Sequence, residues 1–279
     1  MHHSSSKVVL ITGASSGIGK AAALTLLKHG HVVYGAARRV QPMQELADAG
    51  GHVVSMDVTD HERVGQVVEQ IIQEQGRIDV LFNNAGFGLY GAVEDTPIDQ
   101  ARRQFEVNLF GLAAVTQAVL PHMRAQGTGL ILNTSSMGGK IYTPMGAWYH
   151  ATKHALEGWS DCLRLELEPL GIHVAILEPG VIDTGFGDVV GPALLERSGQ
   201  GPYAELAMAV AKATAATYSE GASSSPQVIS RVVLKAVESA RPKTRYVAGK
   251  YARPLMFARH WISDRAFDKV VMSQVRSMM

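Results

Sequence analysis

Hydrophobic and polar positions divide the chain into short apolar runs that alternate with longer segments of helical spacing. The apolar runs are rich in Val, Ile and Leu and are nearly continuous, which is typical of strands covered on both faces. They predict strands at Lys7–Thr12, His31–Ala36, His52–Met56, Asp79–Asn83, Leu130–Asn133, Ile172–Leu177 and Arg245–Ala248. The other segments predict helices at Gly17–Lys28, Gln41–Ala49, Asp60–Gln75, Pro97–Arg124, Ala147–Leu170, Tyr203–Thr217 and Ser223–Ser239.

Strands that alternate with helices in this way predict a doubly wound parallel sheet of the Rossmann type, in three α/β/α layers. We expect one domain over residues 1–279, because single α/β domains often reach about 200–250 residues. After Pro179 the pattern changes, and two Gly-Pro pairs, Gly191-Pro192 and Gly201-Pro202, precede an Ala- and Met-rich segment. We interpret each pair as a break and expect residues 181–218 to form a mobile helical lid over an apolar pocket.

The C-terminal segment, residues 251–279, has apolar residues at helical spacing and predicts an amphipathic helical extension. The last 39 residues of the chain carry a clear excess of Lys and Arg over Asp and Glu. Three interpretations fit such a helix: docking on its own domain, contact with another subunit, or weak attachment to an anionic membrane surface.

Composition narrows the class of protein. With 46% hydrophobic and 18% charged residues, the chain of 279 residues can form a packed core, which excludes a disordered protein. Lys and Arg total 26 against 25 Asp and Glu, which argues against nucleic acid as a partner. The single cysteine, Cys162, excludes an intrachain disulfide and a cysteine-based zinc site, and we expect it to fill the core or an interface.

The sequence also bears on metal binding and on the cellular location of the protein. The 11 histidines show no ligand spacing, so we expect no metal site. No run of about 18 apolar residues predicts a transmembrane helix. The polar start, Met1–Ser6, does not have the pattern of a signal or transit peptide, and we expect a cytoplasmic protein.

A cluster of glycines separates the first predicted strand from the first helix, in the sequence Thr12-Gly13-Ala14-Ser15-Ser16-Gly17-Ile18-Gly19. Glycine lets the backbone turn tightly and approach a pyrophosphate, whose charge the N-terminus of the next helix stabilises. This placement predicts a dinucleotide site formed by Gly13, Ser15, Ser16, Gly17, Ile18 and Gly19.

The second strand is followed by Arg38 and Arg39, where a protein that prefers NAD needs an acidic residue. Guanidinium groups suit the 2′-phosphate of NADP, so we favour NADP(H) over NAD(H) as the cofactor. The carboxyl ends of parallel strands share one edge of the sheet, where ligands bind. The residues that follow the third and fourth strands therefore join the cofactor site: Asp57, Val58, Asn84, Ala85 and Gly86.

Tyr149 and Lys153 lie four residues apart on a long predicted helix, so their side chains share one face. A neighbouring ammonium group favours the phenolate, and a pKa lowered by about 2–3 units would ease proton exchange near neutrality. Ser136 ends the fifth strand and can donate a hydrogen bond to a substrate oxygen. Such a pair of Tyr and Lys is common on helices, and surface packing is the alternative interpretation.

Together these residues resemble the classical short-chain dehydrogenase/reductase family over residues 7–250, and the G-x-x-x-G-x-G spacing matches that family. The resemblance implies that Tyr149 is the general acid and base. It implies that Lys153 binds the nicotinamide ribose and lowers the tyrosine pKa, while Ser136 positions the carbonyl group. A homodimer or homotetramer is also implied.

Two further sets of residues belong to the resemblance. Asn108 matches an asparagine that holds a water molecule in a proton relay. The turn Pro179-Gly180-Val181, with Thr184 beyond it, matches a loop that contacts the nicotinamide side of the cofactor. The residues around Arg38 resemble the NADP-preferring branch that includes hydroxysteroid and retinol dehydrogenases.

The implied activity is hydride transfer between the nicotinamide and a secondary alcohol, ketone or aldehyde on a hydrophobic small molecule. Met145, Phe186 and Tyr203 are candidates for lining its pocket. Two alternatives are a non-catalytic, NADPH-sensing interaction protein and an epimerase or dehydratase of the same family.

Overall fold

A computed structural model of the protein describes residues 6–219 and 221–279. Its strands are β1 (Val8–Thr12), β2 (Val32–Ala37), β3 (His52–Ser55), β4 (Val80–Asn83), β5 (Gly129–Thr134), β6 (Ile172–Pro179) and β7 (Arg245–Ala248). They form one sheet in the order β3-β2-β1-β4-β5-β6-β7, and every neighbouring pair is parallel. The predicted fold class is confirmed, and each predicted strand lies within two residues of an observed one.

The helices are α1 (Gly17–Lys28), α2 (Gln44–Asp48), α3 (His61–Gln75), α4 (Ile98–Phe105), α5 (Leu112–Gln126), α6 (Ala147–Leu167), α7 (Phe186–Ser198), α8 (Ala204–Tyr218), α9 (Pro226–Glu238), α10 (Ala252–Trp261) and α11 (Asp264–Arg276). Apolar side chains of α1 and α9 pack on one face of the sheet, and those of α3, α5 and α6 pack on the other. The strand order reverses between β1 and β4, and ligands bind at such a point, at the carboxyl ends of the strands.

Local chemistry sets the ends of α3. The Asp60 side chain accepts a hydrogen bond from the backbone N–H of Arg63 at 3.0 Å, which satisfies a donor that the first helical turn leaves open. Gly76 ends the helix at φ +74°, in the left-handed region that glycine adopts without strain. Both ends agree with the prediction.

The predicted helix Pro97–Arg124 is interrupted in the structure. A π-helical segment, Glu106–Gly111, separates α4 from α5 and contains Asn108. Segments of this kind are often found at functional sites, but the hydrophobic spacing of the sequence did not reveal this one.

The predicted break at Gly191-Pro192 is wrong, because Pro192 lies inside α7. Proline removes one backbone hydrogen bond from a helix. Here Pro192 is exposed to solvent, while Val190 and Leu194 on the other face are buried. Burial of that face outweighs the missing bond, so the chain stays helical from Phe186 to Ser198.

The C-terminal segment forms two helices rather than the single predicted one, and the chain turns between Trp261 and Asp264. Phe267 of α11 is fully buried against the ring of Tyr142, with the ring centroids 5.2 Å apart. Burial of a side chain of this size contributes about 1.5–3 kcal/mol. Val275 joins a small apolar cluster with residues of α7 and α8, so the segment packs on its own domain.

Three further observations concern the single cysteine, membrane-spanning helices and the start of the chain. Cys162 is exposed on α6, so the prediction that it fills the core of this chain is wrong. Within residues 6–219 and 221–279, we find no helix with the length and apolarity needed to cross a membrane. Residues 1–5, which make up most of the predicted polar start Met1–Ser6, lie outside the described part of the chain.

Candidate active site

A cavity of about 730 Å³ opens at the carboxyl edge of the sheet. Its volume lies within the range of about 300–1,000 Å³ that is usual for small-molecule sites. Most residues that the sequence singled out line it: Gly13, Ser15, Ser16, Gly17, Ile18, Arg38, Arg39, Asp57, Val58, Asn84, Ala85, Gly86, Ser136, Tyr149, Lys153, Pro179, Gly180 and Thr184. Three residues that were predicted for the cofactor or catalytic site do not line it: Gly19, Asn108 and Val181.

The glycine loop is packed so tightly that side chains would not fit. Gly13 has φ +68°, and a Cβ there would lie 2.9 Å from the Cα of Ala85. Gly19 is buried, and a Cβ there would lie 2.4 Å from the carbonyl oxygen of Gly13. Gly19 therefore lets α1 pack on the turn rather than facing the cavity. Thr184 lies against Gly17, which brings the loop after β6 onto the glycine loop.

One end of the cavity is rich in arginine. Arg38 and Arg39 follow β2 and are exposed. Arg103 of α4 also lines the cavity, with its Nη2 atom 3.4 Å from a carboxylate oxygen of Asp57. Its role was missed, because a helical segment gives no sign of which arginine will face a distant strand end.

Asp57 is held as a carboxylate at this end. Its Oδ1 atom accepts hydrogen bonds from the backbone N–H and the hydroxyl of Thr59, at 3.0 and 2.9 Å. Burial acts to raise the pKa of Asp57, but these hydrogen bonds and Arg103 together lower it.

Ser136 begins a short turn after β5, at residues 137–139. The backbone N–H of Gly138 donates to the Ser136 Oγ atom at 3.0 Å, so the serine can direct its own hydroxyl proton elsewhere. His150 holds the same turn, because its Nδ1 atom lies 2.9 Å from the Gly138 carbonyl oxygen and its Nε2 atom accepts from the N–H of Thr143. Burial lowers the pKa of His150 to about 4, so this histidine is neutral and structural.

Tyr149 and Lys153 lie side by side on α6, with the Lys153 Nζ atom 6.0 Å from the centre of the tyrosine ring. The ammonium group donates to the carbonyl oxygen of Thr134 at 2.8 Å. Burial lowers the pKa of Lys153 to about 8, and the negative charge of Glu157 opposes that change.

Burial also raises the pKa of Tyr149, while the nearby Ser136 hydroxyl acts in the opposite direction. The prediction that Lys153 lowers the pKa of Tyr149 is therefore wrong, because the surroundings of the phenol raise its pKa. The ring of Tyr149 lies among aromatic rings, 5.8 Å from Tyr90 and 5.6 Å from Phe186, and this loss of water outweighs the distant ammonium group.

Asn108 is 1% exposed and uses its amide within the protein. Its Oδ1 atom accepts from the N–H of Phe87 at 3.0 Å, and its Nδ2 atom donates to the Phe87 carbonyl oxygen at 2.9 Å and to the Thr152 hydroxyl at 3.3 Å. Asn108 thus joins the loop after β4 to α6. Its role in a water relay stays a prediction.

Val181 is buried, and its backbone N–H donates to the carbonyl oxygen of Lys250 at 3.0 Å. Its neighbour Ile182 lines the cavity instead. The turn after Pro179 contributes one residue further along than the sequence predicted, because alternate residues of an extended chain face opposite sides.

The other end of the cavity is apolar. Phe186 lines it as predicted, together with Phe87, Val189, Val190 and Tyr218. The rings of Phe186 and Tyr218 lie 6.1 Å apart, and burial raises the pKa of Tyr218.

Met145 and Tyr203, also predicted to line the pocket, instead join the apolar cluster beneath α7 and α8. The sequence does not point to Val189 and Val190, because the Gly191-Pro192 pair predicts a break where α7 is continuous. Tyr218 ends the predicted Ala- and Met-rich helix, and nothing in the spacing showed that its ring returns to the site.

The cavity has the donors that a nicotinamide dinucleotide needs. Ser16 precedes α1, and its side chain caps none of the described backbone N–H groups, so the helix N-terminus is open to an anion. Thr134 and Ser135 line the cavity with buried hydroxyl oxygens that have no hydrogen-bond partner among the described residues.

In residues 6–219 and 221–279 no group of three His, Cys, Asp or Glu side chains is placed to bind a metal ion.

Comparison with known proteins places these features in a family. The model of short chain dehydrogenases matches residues 7–193. A 3-ketodihydrosphingosine reductase of Bacteroides thetaiotaomicron is 44% identical over 182 residues, which are 65% of this chain and 66% of the relative. The uncharacterized oxidoreductase YbbO of Escherichia coli is 35% identical over 266 residues, which are 95% of this chain and 94% of YbbO.

Solved structures of similar proteins support the same family. A short-chain dehydrogenase from Streptomyces avermitilis is 34% identical, covers 98% of both chains and superposes with a TM-score of 0.78. A serine dehydrogenase complexed with NADP+ is 25% identical, covers 87% of this chain and 94% of its own, and has a TM-score of 0.76. A Burkholderia phymatum enzyme in complex with NAD is 25% identical over 92% of each chain, with a TM-score of 0.77. The chain therefore belongs to the short-chain dehydrogenase family of nicotinamide-dependent oxidoreductases.

Proposed function

We propose that this oxidoreductase uses NADP(H) and transfers hydride between the nicotinamide and a secondary alcohol, ketone or aldehyde on a hydrophobic substrate. The observation that carries the proposal is one cavity lined by Ser136, Tyr149 and Lys153, by the arginines that follow β2, and by apolar side chains such as Phe186 beside Tyr149. The arrangement separates recognition of a charged cofactor from recognition of an apolar substrate.

The cofactor would be held by groups of different chemistry along the cavity. The open N-terminus of α1 suits a pyrophosphate, and Arg38 and Arg39 suit a 2′-phosphate by charge-assisted hydrogen bonds. Lys153 and the Pro179-Gly180 turn would hold the nicotinamide side. When bound, the nicotinamide supplies or accepts the hydride.

Tyr149 donates or accepts the proton that accompanies hydride transfer. Because burial raises its pKa, the phenol holds its proton at neutral pH and can donate it to a carbonyl oxygen during reduction. Ser136 directs a second hydrogen bond at the same oxygen and stabilises the developing negative charge. General acid catalysis of this kind contributes about 10²–10⁴-fold to the rate.

The substrate would lie against the apolar end, among Phe186, Val190 and Tyr218. The name of the Bacteroides relative points to an apolar keto compound, 3-ketodihydrosphingosine, which makes that compound the first ketone to test. Steroid, retinoid and aryl ketones or alcohols fit the same description.

The test is to follow absorbance at about 340 nm over a panel of apolar ketones, aldehydes and alcohols, with NADPH/NADP+ and with NADH/NAD+. We expect turnover of apolar members and a kcat/KM about 10–100-fold higher with the phosphorylated cofactor. Equal use of NADH would overturn the cofactor assignment. Tight NADPH binding without turnover of any member would favour the NADPH-sensing alternative instead.

We also propose a homodimer or homotetramer. Leu165 of α6 is 66% exposed and Phe110 of the adjacent π-helical segment is 51% exposed, and a contact between subunits would cover both side chains. Light scattering that finds only a monomer at micromolar concentration would contradict this.

A further inference from the structure

A cluster of two buried acids and two partly buried basic side chains, which does not line the cavity, joins the segments that carry the proposed catalytic groups. Glu157 lies one helical turn after Lys153 on α6, and Glu178 directly precedes Pro179. Lys140 follows the Ser136 turn, and Arg245 begins β7. We call these four residues the carboxyl clamp.

Contacts within the carboxyl clamp converge on Glu157. Its Oε2 atom lies 2.9 Å from the Lys140 Nζ atom and 3.1 Å from the Arg245 Nη2 atom. The Arg245 Nε atom lies 3.5 Å from an oxygen of Glu178. Glu157 is 3% exposed and Glu178 is 0% exposed, so neither acid can rely on water.

Both acids leave buried oxygen atoms unpaired, and the Nε–H of Arg245 also lacks an acceptor among the described residues. As carboxylates, Glu157 has one buried oxygen and Glu178 has two without a hydrogen-bond partner among the described residues. Buried polar atoms are nearly always hydrogen-bonded, and two adjacent buried carboxylates repel each other. A single proton removes the repulsion and pairs two of these three oxygen atoms, because the O–H of one carboxyl group can donate to the other, as in carboxyl pairs that share a proton.

The surrounding charges agree with one shared proton. Burial and the charge of Glu157 raise the pKa of Glu178 to about 7, against the opposing effect of Arg245 and Lys140. Asp161 lies on the outer side of Arg245, at 2.6 Å from its Nη2 atom, and also pairs with Arg164.

We propose that Glu157 and Glu178 share one proton, and that the carboxyl clamp positions the Ser136 turn, the catalytic helix and the Pro179-Gly180 turn relative to one another. Glu157 is thus a positioning residue for the reaction, and this part of the inference rests on the proposed function. Its negative charge also favours the ammonium form of Lys153.

The sign of the pH effect follows from the raised pKa. A carboxyl group whose pKa is higher in the folded protein than in the unfolded chain contributes stability that is complete below its ordinary pKa of about 4.3. That contribution is lost as pH rises through about 7. Replacing Glu178 by the isosteric amide should remove the loss, because glutamine donates to Glu157 without a titrating proton.

The first experiment compares thermal unfolding of the wild type, Glu178→Gln and a matched control, Glu166→Gln, between pH 5 and 8.5. Glu166 is exposed on the same helix, α6. We expect Glu178→Gln to melt about 2–4 °C above the wild type at pH 8, with the difference shrinking toward pH 5, while the control follows the wild type. A difference for Glu178→Gln that does not change with pH would overturn the shared proton.

The second measurement needs only the wild-type protein, so it decides the matter even where Glu178→Gln fails to fold. Infrared difference spectra between pH 5.5 and 8.5 should show the C=O stretch of a protonated carboxylic acid that disappears as pH rises through about 7. Its absence would refute the shared proton.

The positioning role is tested by Glu157→Gln. We expect kcat to fall about tenfold, and the alkaline limb of the kcat profile to move to lower pH as Lys153 loses its neighbouring charge. Glu157→Asp should recover part of kcat. A lower kcat with an unmoved alkaline limb would overturn the positioning role. Melting and infrared data use no substrate, so they can fail while the Tyr149 assignment stands, and an inactive protein with a titrating pair would refute the proposed function alone.

Discussion

The two ends of the cavity are built in different ways. The arginine-rich end comes mainly from consecutive chain between Gly13 and Arg39, where a strand, a tight turn and a helix N-terminus follow one another. The apolar end is assembled from Phe87, from α7 and from Tyr218, which are far apart in sequence. The arginine-rich end thus depends mainly on local backbone geometry, whereas the apolar end depends on surfaces that only the tertiary structure brings together.

Among the substitutions that compare the two ends, the largest effect is expected between them, at Ser136. Ser136→Ala removes one of the two hydrogen bonds directed at the substrate oxygen, so kcat should fall about 10²–10³-fold. Affinity for NADPH should stay the same, as measured by fluorescence titration. Ser273→Ala on the exposed side of α11 is the control. A loss of less than threefold would remove Ser136 from the reaction.

A smaller effect is expected at the arginine-rich end. Arg38→Ala should raise KM for NADPH about 10–100-fold, because a charge-assisted hydrogen bond to phosphate is lost, and should leave KM for NADH unchanged. Arg231→Ala, an exposed arginine on α9, serves as the control. If both cofactors weaken equally, Arg38 does not read the 2′-phosphate.

The smallest effect is expected at the apolar end. Tyr218→Ala should raise KM for an apolar ketone about tenfold through lost burial, with KM for NADPH unchanged. Tyr203→Ala is an informative control, because the sequence predicted this residue in the pocket and the structure places it in the cluster beneath α7 and α8. A larger effect at Tyr203 than at Tyr218 would contradict the described pocket.

The sequence predicts the sheet and the arginine-rich end because their causes are local. Apolar runs covered on both faces reveal the strands, and the glycines of the Gly13–Gly19 loop are required by contacts within that loop and with Ala85. The ends of α3 follow from a capping aspartate and a left-handed glycine.

The sequence does not predict features that depend on distant packing. Pro192 stays in a helix because the opposite face of α7 is buried, and Arg103 is directed at Asp57 by the packing of α4. In the sequence, Glu178 is a single acidic residue in an apolar strand. Only the tertiary structure shows that Glu157 of α6 lies beside it. The raised pKa of Tyr149 is likewise a property of its aromatic neighbours rather than of its spacing from Lys153.

The central claim is that the Tyr149 hydroxyl exchanges the proton that accompanies hydride transfer. The most direct measurement is the single-turnover rate at which Tyr149→Phe transfers hydride from NADPH to a ketone that the wild type reduces, together with the NADPH dissociation constant of the variant. The rate should fall about 10²–10⁴-fold while the dissociation constant stays within about twofold of the wild type. A rate within tenfold of the wild type would contradict the account.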